Sequence, residues 1–146
     1  MTNQTIPIDI LLVEDDPSDV LLLRKALKES NIFSTLSVAR DGLDALNFLK
    51  RSSGHEDARR PDLIFLDLNM PRMDGREFLQ AMKLDPSFRG IPVIVLTTSD
   101  ADKDVCASYN LQASCYVTKP AKLDQFKVVL QSIKDFWLSV VKYPER

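Results

Sequence analysis

The chain is short of the residues that mark several common kinds of site. It holds two cysteines, one histidine, one tryptophan and four glycines in 146 residues. Cys106 and Cys115 show neither CxxC spacing nor a metal-ligand set, which argues against a zinc site and leaves reduced packing thiols as the expectation. Positive charge is not in excess: 19 Lys and Arg stand against 21 Asp and Glu, a net charge of −2. A nucleic-acid binder would need a clustered surplus of Lys and Arg for its phosphate contacts, so direct DNA binding is not expected. No signal peptide and no membrane-length apolar run is present, so the expected location is the cytoplasm, with no membrane partner. The lone His55 lies in the polar loop "RSSGHEDARRP" with no helix or partner base in view, which predicts a solvated histidine and not a relay group.

What the chain does have is hydrophobic content of 45%, enough for one core, and a length that predicts a single domain over 1–146. Apolar runs alternate with helical patterns from end to end. Ile8–Val13 is aliphatic apart from Asp9, followed by helical spacing from Val20 to Leu27. Leu36 and Val38 alternate with polar neighbours, and Asp41-Gly42 opens a second helix. "DLIFLDL", "GREFLQAMK" and "IPVIVLTT" predict a third strand, a third helix and a fourth strand. A weaker helix through Asp104–Asn110, the strand "ASCYV" and a long helix over about 122–141 complete the pattern. Five strands alternating with five helices predict an α/β doubly wound parallel sheet, and runs apolar at every position fit strands covered on both faces. The common strand order at this size is 2-1-3-4-5, with the ligand crevice where the order reverses, between strands one and three.

Acidic residues collect at that junction. "ILLVEDDPSD" ends a greasy strand on Glu14, Asp15 and Asp16. Asp16 before Pro17 reads as a helix N-cap, and Asp19 suits the positive helix end. Glu14 and Asp15 have no such explanation, and Asp67 ends the third strand at the same edge. Three carboxylates that would repel one another become favourable around a divalent cation, and an all-oxygen set that keeps waters suits Mg²⁺ or Mn²⁺. Thr97, ending strand four, and Lys119, in "YVTKP", fall at the same edge. A cation site, a hydroxyl and an ammonium suit phosphoryl transfer, with Asp67 the candidate nucleophile.

"ILLVEDDPSD", "LIFLDLNMPRMDG", "VIVLTTSD" and "CYVTKP", in that order, resemble the receiver domain of two-component response regulators over nearly the whole chain. That resemblance implies a flavodoxin-like receiver fold and phosphorylation of Asp67 by a histidine kinase. It implies Glu14 and Asp15 as the acid pair, with Asp15 touching Mg²⁺ directly and Glu14 through water. The backbone carbonyl of Asn69 would be a further ligand, Thr97 and Tyr116 the switch pair, and Lys119 the phosphate-contacting cation. It also implies a cis Lys119–Pro120 bond, slow self-dephosphorylation past Asn69 and Ser99, and signalling through the face of the fourth helix, fifth strand and last helix. Ala121 stands where many members of the family carry a bulkier apolar residue.

Two other classes each lack a feature they need. An Mg²⁺-dependent aspartyl-phosphate hydrolase of small metabolites needs a second Asp two residues past the nucleophile as general acid, and Asn69 occupies that position. A flavin carrier on this fold would want a Ser/Thr/Gly-rich phosphate loop where "EDDPSD" stands. The long loop before strand three, "NLQASCYVTKPAKLDQF" and "DFWLSVVKYPER" resemble the small response regulators of cyanobacterial phytochromes, which implies a light-regulated kinase partner. Apolar spacing on the last helix continues through Phe136, Trp137, Val140 and Val141, beyond the expected reach of the sheet, and predicts a homodimer interface there.

Overall fold

The computed structural model of the chain describes residues 7–97, 113 and 115–139. Its elements are β1 (Ile8–Val13), α1 (Pro17–Glu29), β2 (Ser34–Ala39), α2 (Gly42–Lys50), β3 (Leu63–Asp67), α3 (Gly75–Leu84), β4 (Val93–Thr97), β5 (Cys115–Thr118) and α4 (Leu123–Ser139). The five strands form one sheet in the order β2-β1-β3-β4-β5, every pair parallel. The expected helix through Asp104–Asn110, with Ser99 and Cys106, lies outside the described residues.

Strand residues alternate between two cores, one on each face of the sheet. Leu11, Val13, Ile64, Leu66, Val93 and Val95 face α2 and α3, where Phe78, Leu79 and Met82 meet them. Ile10, Leu12, Leu63, Phe65, Ile94 and Leu96 face the opposite side, with Leu23 and Leu27 of α1 and Phe126 and Leu130 of α4. The rings of Phe65 and Phe126 meet edge to face, centroids 6.5 Å apart. Side chains of this kind each contribute about 1.5–3 kcal/mol when fully buried. That explains why Ile10–Val13, Leu63–Leu66 and Val93–Leu96 are apolar at every position: they have no solvent face.

The helices begin where the sequence says they should. Asp16 accepts from the Ser18 N–H at 2.8 Å with Pro17 in the first turn, and Asp41 accepts from the Asp44 N–H at 2.8 Å. Asp74 and Glu77 form a reciprocal capping box at the start of α3. These three N-termini follow β1, β2 and β3, so all open at the carboxyl edge of the sheet.

Three expectations are corrected. His55 is not simply solvated: its Nε2 lies 2.8 Å from Asp44 Oδ1, and its ring meets Phe48 edge-on with centroids 5.4 Å apart. Asp44 and Phe48 are one helical turn apart on α2, so the 51–61 loop folds back onto a ready-made carboxylate and ring. Cys115 is exposed at the head of a four-residue edge strand and does not pack as a core thiol. The Lys119–Pro120 bond is trans, the form favoured for X-Pro by about 0.5–1 kcal/mol, and the lysine is aimed by ion pairs instead. Phe136 and Trp137 fall on α4, but their side chains, and Val140 and Val141 altogether, lie outside the described residues.

Candidate functional site

Strand pairing builds the crevice. Val13 of β1 is in register with Leu66 of β3, so the residues that follow each emerge side by side. One carboxylate oxygen from each of Glu14, Asp15 and Asp67 lies within 4.8 Å of the others. Glu14 and Asp67 are buried, at 1% and 3% exposure, while Asp15 faces solvent. The Glu14 N–H donates to the Ala39 carbonyl at 2.9 Å, and its Oε2 accepts from the Asp16 N–H at 3.2 Å, which fixes the side chain inward.

Lys119, entering from the loop after β5, completes the cluster. Its Nζ stands 2.7 Å from Asp19 Oδ2, 2.8 Å from Glu14 Oε1 and 3.6 Å from Asp67 Oδ2. The approach to Glu14 Oε1 is an ion pair without hydrogen-bond alignment, so that buried oxygen keeps an unsatisfied lone pair. Burial pushes the Glu14 carboxyl up to about 7; Lys119 opposes this, and the nearby Asp67 charge reinforces it. Burial also raises Asp67, against the pull of Lys119 and of the Asn69 N–H, which donates to Asp67 Oδ1 at 3.3 Å. For Lys119, burial alone would favour the neutral form, but Asp19, Glu14 and Asp67 outweigh it and hold the ammonium charged.

A divalent cation suits this arrangement. Burial raises two of the carboxyls despite Lys119, one buried oxygen lacks an aligned partner, and Asp15 leaves the open side to water. Thr97 closes β4, one residue past the Leu96 that pairs with Asp67. Tyr116 sits in β5 opposite Val95, half-buried against the core on the α2 and α3 side.

Two parts of the site were not foreseen. Asp19 was accounted for by its helix terminus, yet it reaches Lys119; the signal available was that the first turn of α1 opens onto the same edge. Asp41 likewise does more than cap α2. Arg72 donates to its Oδ2 from Nε at 2.7 Å and from Nη2, and the Gly42 N–H donates to the Met73 carbonyl at 2.8 Å. Burial would raise the Asp41 carboxyl, but the Asp44 N–H and Arg72 prevail and hold it below its usual value. The loop after Asp67 is thereby tied to the start of α2, with Arg72 in the left-handed region at φ 59°. Gly75 is required by closeness: a Cβ there would lie 2.8 Å from Leu68 Cα and closer still to the Asp67 carbonyl oxygen.

A doubly wound sheet with an acid cluster and a lysine at its switch point defines the receiver class, and the response regulator receiver domain matches residues 10–131. The chain belongs to that family. Response regulator Rcp1 of Synechocystis sp. is 49% identical over 139 residues, 94% of each chain. Among solved structures, the phosphorylated cyanobacterial phytochrome response regulator RcpA superposes with a TM-score of 0.83 at 41% identity, covering 96% of this chain and 100% of its own. The Mn²⁺-bound form of Rcp1 gives 0.81 at 46% identity, covering 95% and 100%. The chain is thus a receiver domain related to phytochrome response regulators. No helix among the described residues is long and apolar enough to cross a membrane.

Proposed function

We propose that this protein accepts a phosphoryl group on Asp67 from the phosphohistidine of a histidine kinase, and that the kinase is a phytochrome. The observation that carries the acceptor role is the buried Asp67 carboxylate beside a second buried acid and a charged lysine, at the point where strand order reverses. A carboxylate oxygen of Asp67 attacks phosphorus as the P–N bond breaks, and the electron pair leaves on the imidazole, which takes up a proton. Glu14, Asp15, Asp67 and the Asn69 carbonyl are the proposed holders of Mg²⁺, which supplies charge neutralisation at the phosphoryl oxygens when bound. Lys119 neutralises a further phosphoryl oxygen, and Thr97 donates a hydrogen bond to another. Tyr116 follows Thr97 inward, changing the face read by a partner. The phytochrome assignment rests on the similarity to Rcp1 and RcpA. A homodimer through Phe136 and Trp137 of α4, with Val140 and Val141 following them in the sequence, is the proposed assembly.

The hydrolase reading is disfavoured by Asn69, which stands where a general acid would be needed and offers no titrating proton. The acceptor reading is tested by phosphotransfer from purified histidine kinases, phytochrome kinases included, to wild-type protein and to Asp67→Asn. Labelling of the wild type alone is expected. Undiminished labelling of the variant would overturn Asp67 as acceptor, and transfer only from kinases other than phytochromes would overturn the partner.

A further inference from the structure

Lys119 has more acidic company than a phosphate contact requires. Its ammonium carries three donors. The two shortest approaches go to Asp19 and Glu14, at 2.7 and 2.8 Å, while Asp67 Oδ2 stands off at 3.6 Å. Glu14 belongs to the acid cluster that holds the proposed cation; Asp19 does not. Asp19 projects from the first turn of α1 across the crevice to the loop after β5, where helix-end electrostatics alone would be satisfied without that reach. The pair is also sheltered, with side-chain exposures of 14% for Lys119 and 27% for Asp19, so water screens it less than an open surface pair.

Resting on the acceptor reading above, the geometry points to Asp19 as a positioning residue that competes with the phosphoryl group for Lys119. With Asp67 unmodified, Asp19 holds the ammonium on the α1 side of the crevice. A phosphoryl group on Asp67 carries nearly two charges and three acceptor oxygens, against one charge on Asp19, and draws Lys119 across. Asp19 therefore sets a threshold: the phosphorylated arrangement forms only by breaking an ion pair that the resting one keeps.

The test uses beryllofluoride, a phosphoryl mimic that binds Asp67 non-covalently, titrated with saturating Mg²⁺ into the full chain and followed by amide NMR shifts. Asp19→Asn should bind it about threefold to fivefold tighter, the scale of one partly exposed ion pair that no longer has to be broken. Asp19→Ser should do the same, which guards against a fault peculiar to one side chain. In a Lys119→Ala background the Asp19→Asn gain should vanish. Unchanged or weaker binding by both Asp19 variants overturns the role. An equal gain with and without Lys119 also overturns it, because it would reflect simple removal of a negative charge. Failure of the wild type to take up beryllofluoride would overturn the acceptor reading itself, and this inference with it.

Discussion

Glu14 should make the stability of the metal-free protein fall as pH rises, across a range where many proteins are at their steadiest. Its carboxyl titrates at about 7 in the folded chain against 4.5 for the group in water, chiefly because it is buried. Between those values the native state holds a proton that the unfolded chain has released. Native protein therefore binds more protons than unfolded, and the unfolding free energy must drop as pH climbs through the window. At about 1.4 kcal/mol for each pKa unit, the loss from Glu14 alone is about 3 kcal/mol between pH 4.5 and 7. Asp67 is raised as well and adds loss of the same sign. Lys119 adds no slope of its own: its folded value lies above 10.5, so it stays protonated in both states throughout the window. Asp41, held low, loses its contribution only below 3.8. Urea unfolding followed by circular dichroism, from pH 4.5 to 7.5 with a chelator present, measures the slope. Glu14→Gln should remove most of it, and saturating Mg²⁺ should flatten it by favouring the carboxylates. Wild-type stability that stays level or rises across this range, or a Glu14→Gln slope equal to the wild type's, would refute the reasoning.

Gly75→Ala forces a Cβ against the backbone of Asp67 and Leu68, and should cost about 1–3 kcal/mol in thermal unfolding while impairing phosphorylation; an unchanged melting midpoint would contradict the contact. Arg72→Ala leaves buried Asp41 without its forked partner and should cost about 1–2 kcal/mol in urea unfolding. Arg72→Lys should recover only part of that, because an ammonium cannot reproduce the guanidinium's paired donors, and full recovery would refute the importance of the fork. Trp137→Glu should weaken the proposed homodimer, so light scattering at micromolar concentration should report a lower mass than wild type; a monomeric wild type would refute the assembly.

The parts of the molecule that were legible in sequence are those governed by local pattern or by a rule of topology. "LLV", "IFL" and "VIVL" read as strands buried on both faces because nothing polar interrupts them, and Asp16-Pro17 and Asp41-Gly42 read as helix starts because capping is a local event. Given the strand order, Glu14, Asp15 and Asp67 had to meet. What stayed hidden was the pairing of side chains that already had a sufficient local explanation. Asp19 was explained by its helix end and Asp41 by its cap, so their bonds to Lys119 and Arg72 had no separate signal. His55 was misread because its partners, Asp44 and Phe48, belong to the preceding helix, and a loop folding back leaves no periodicity in the sequence. Cys115 was misjudged because burial in a strand depends on whether the strand is central or at an edge.

The two edges of the sheet bear on how copies of this chain can meet. β5 has only four residues, Cys115–Thr118, and Pro120, two residues past its end, has no N–H to donate. β2, at the other edge, is six residues long and carries Ser34, Thr35 and Ser37 among its apolar positions. Neither is the long, flat, greasy border along which sheets of separate molecules join into a continuous ladder. Concentrating this protein should therefore favour bounded contacts between helical surfaces over open-ended strand addition, a property that suits a small domain whose partners must be able to leave.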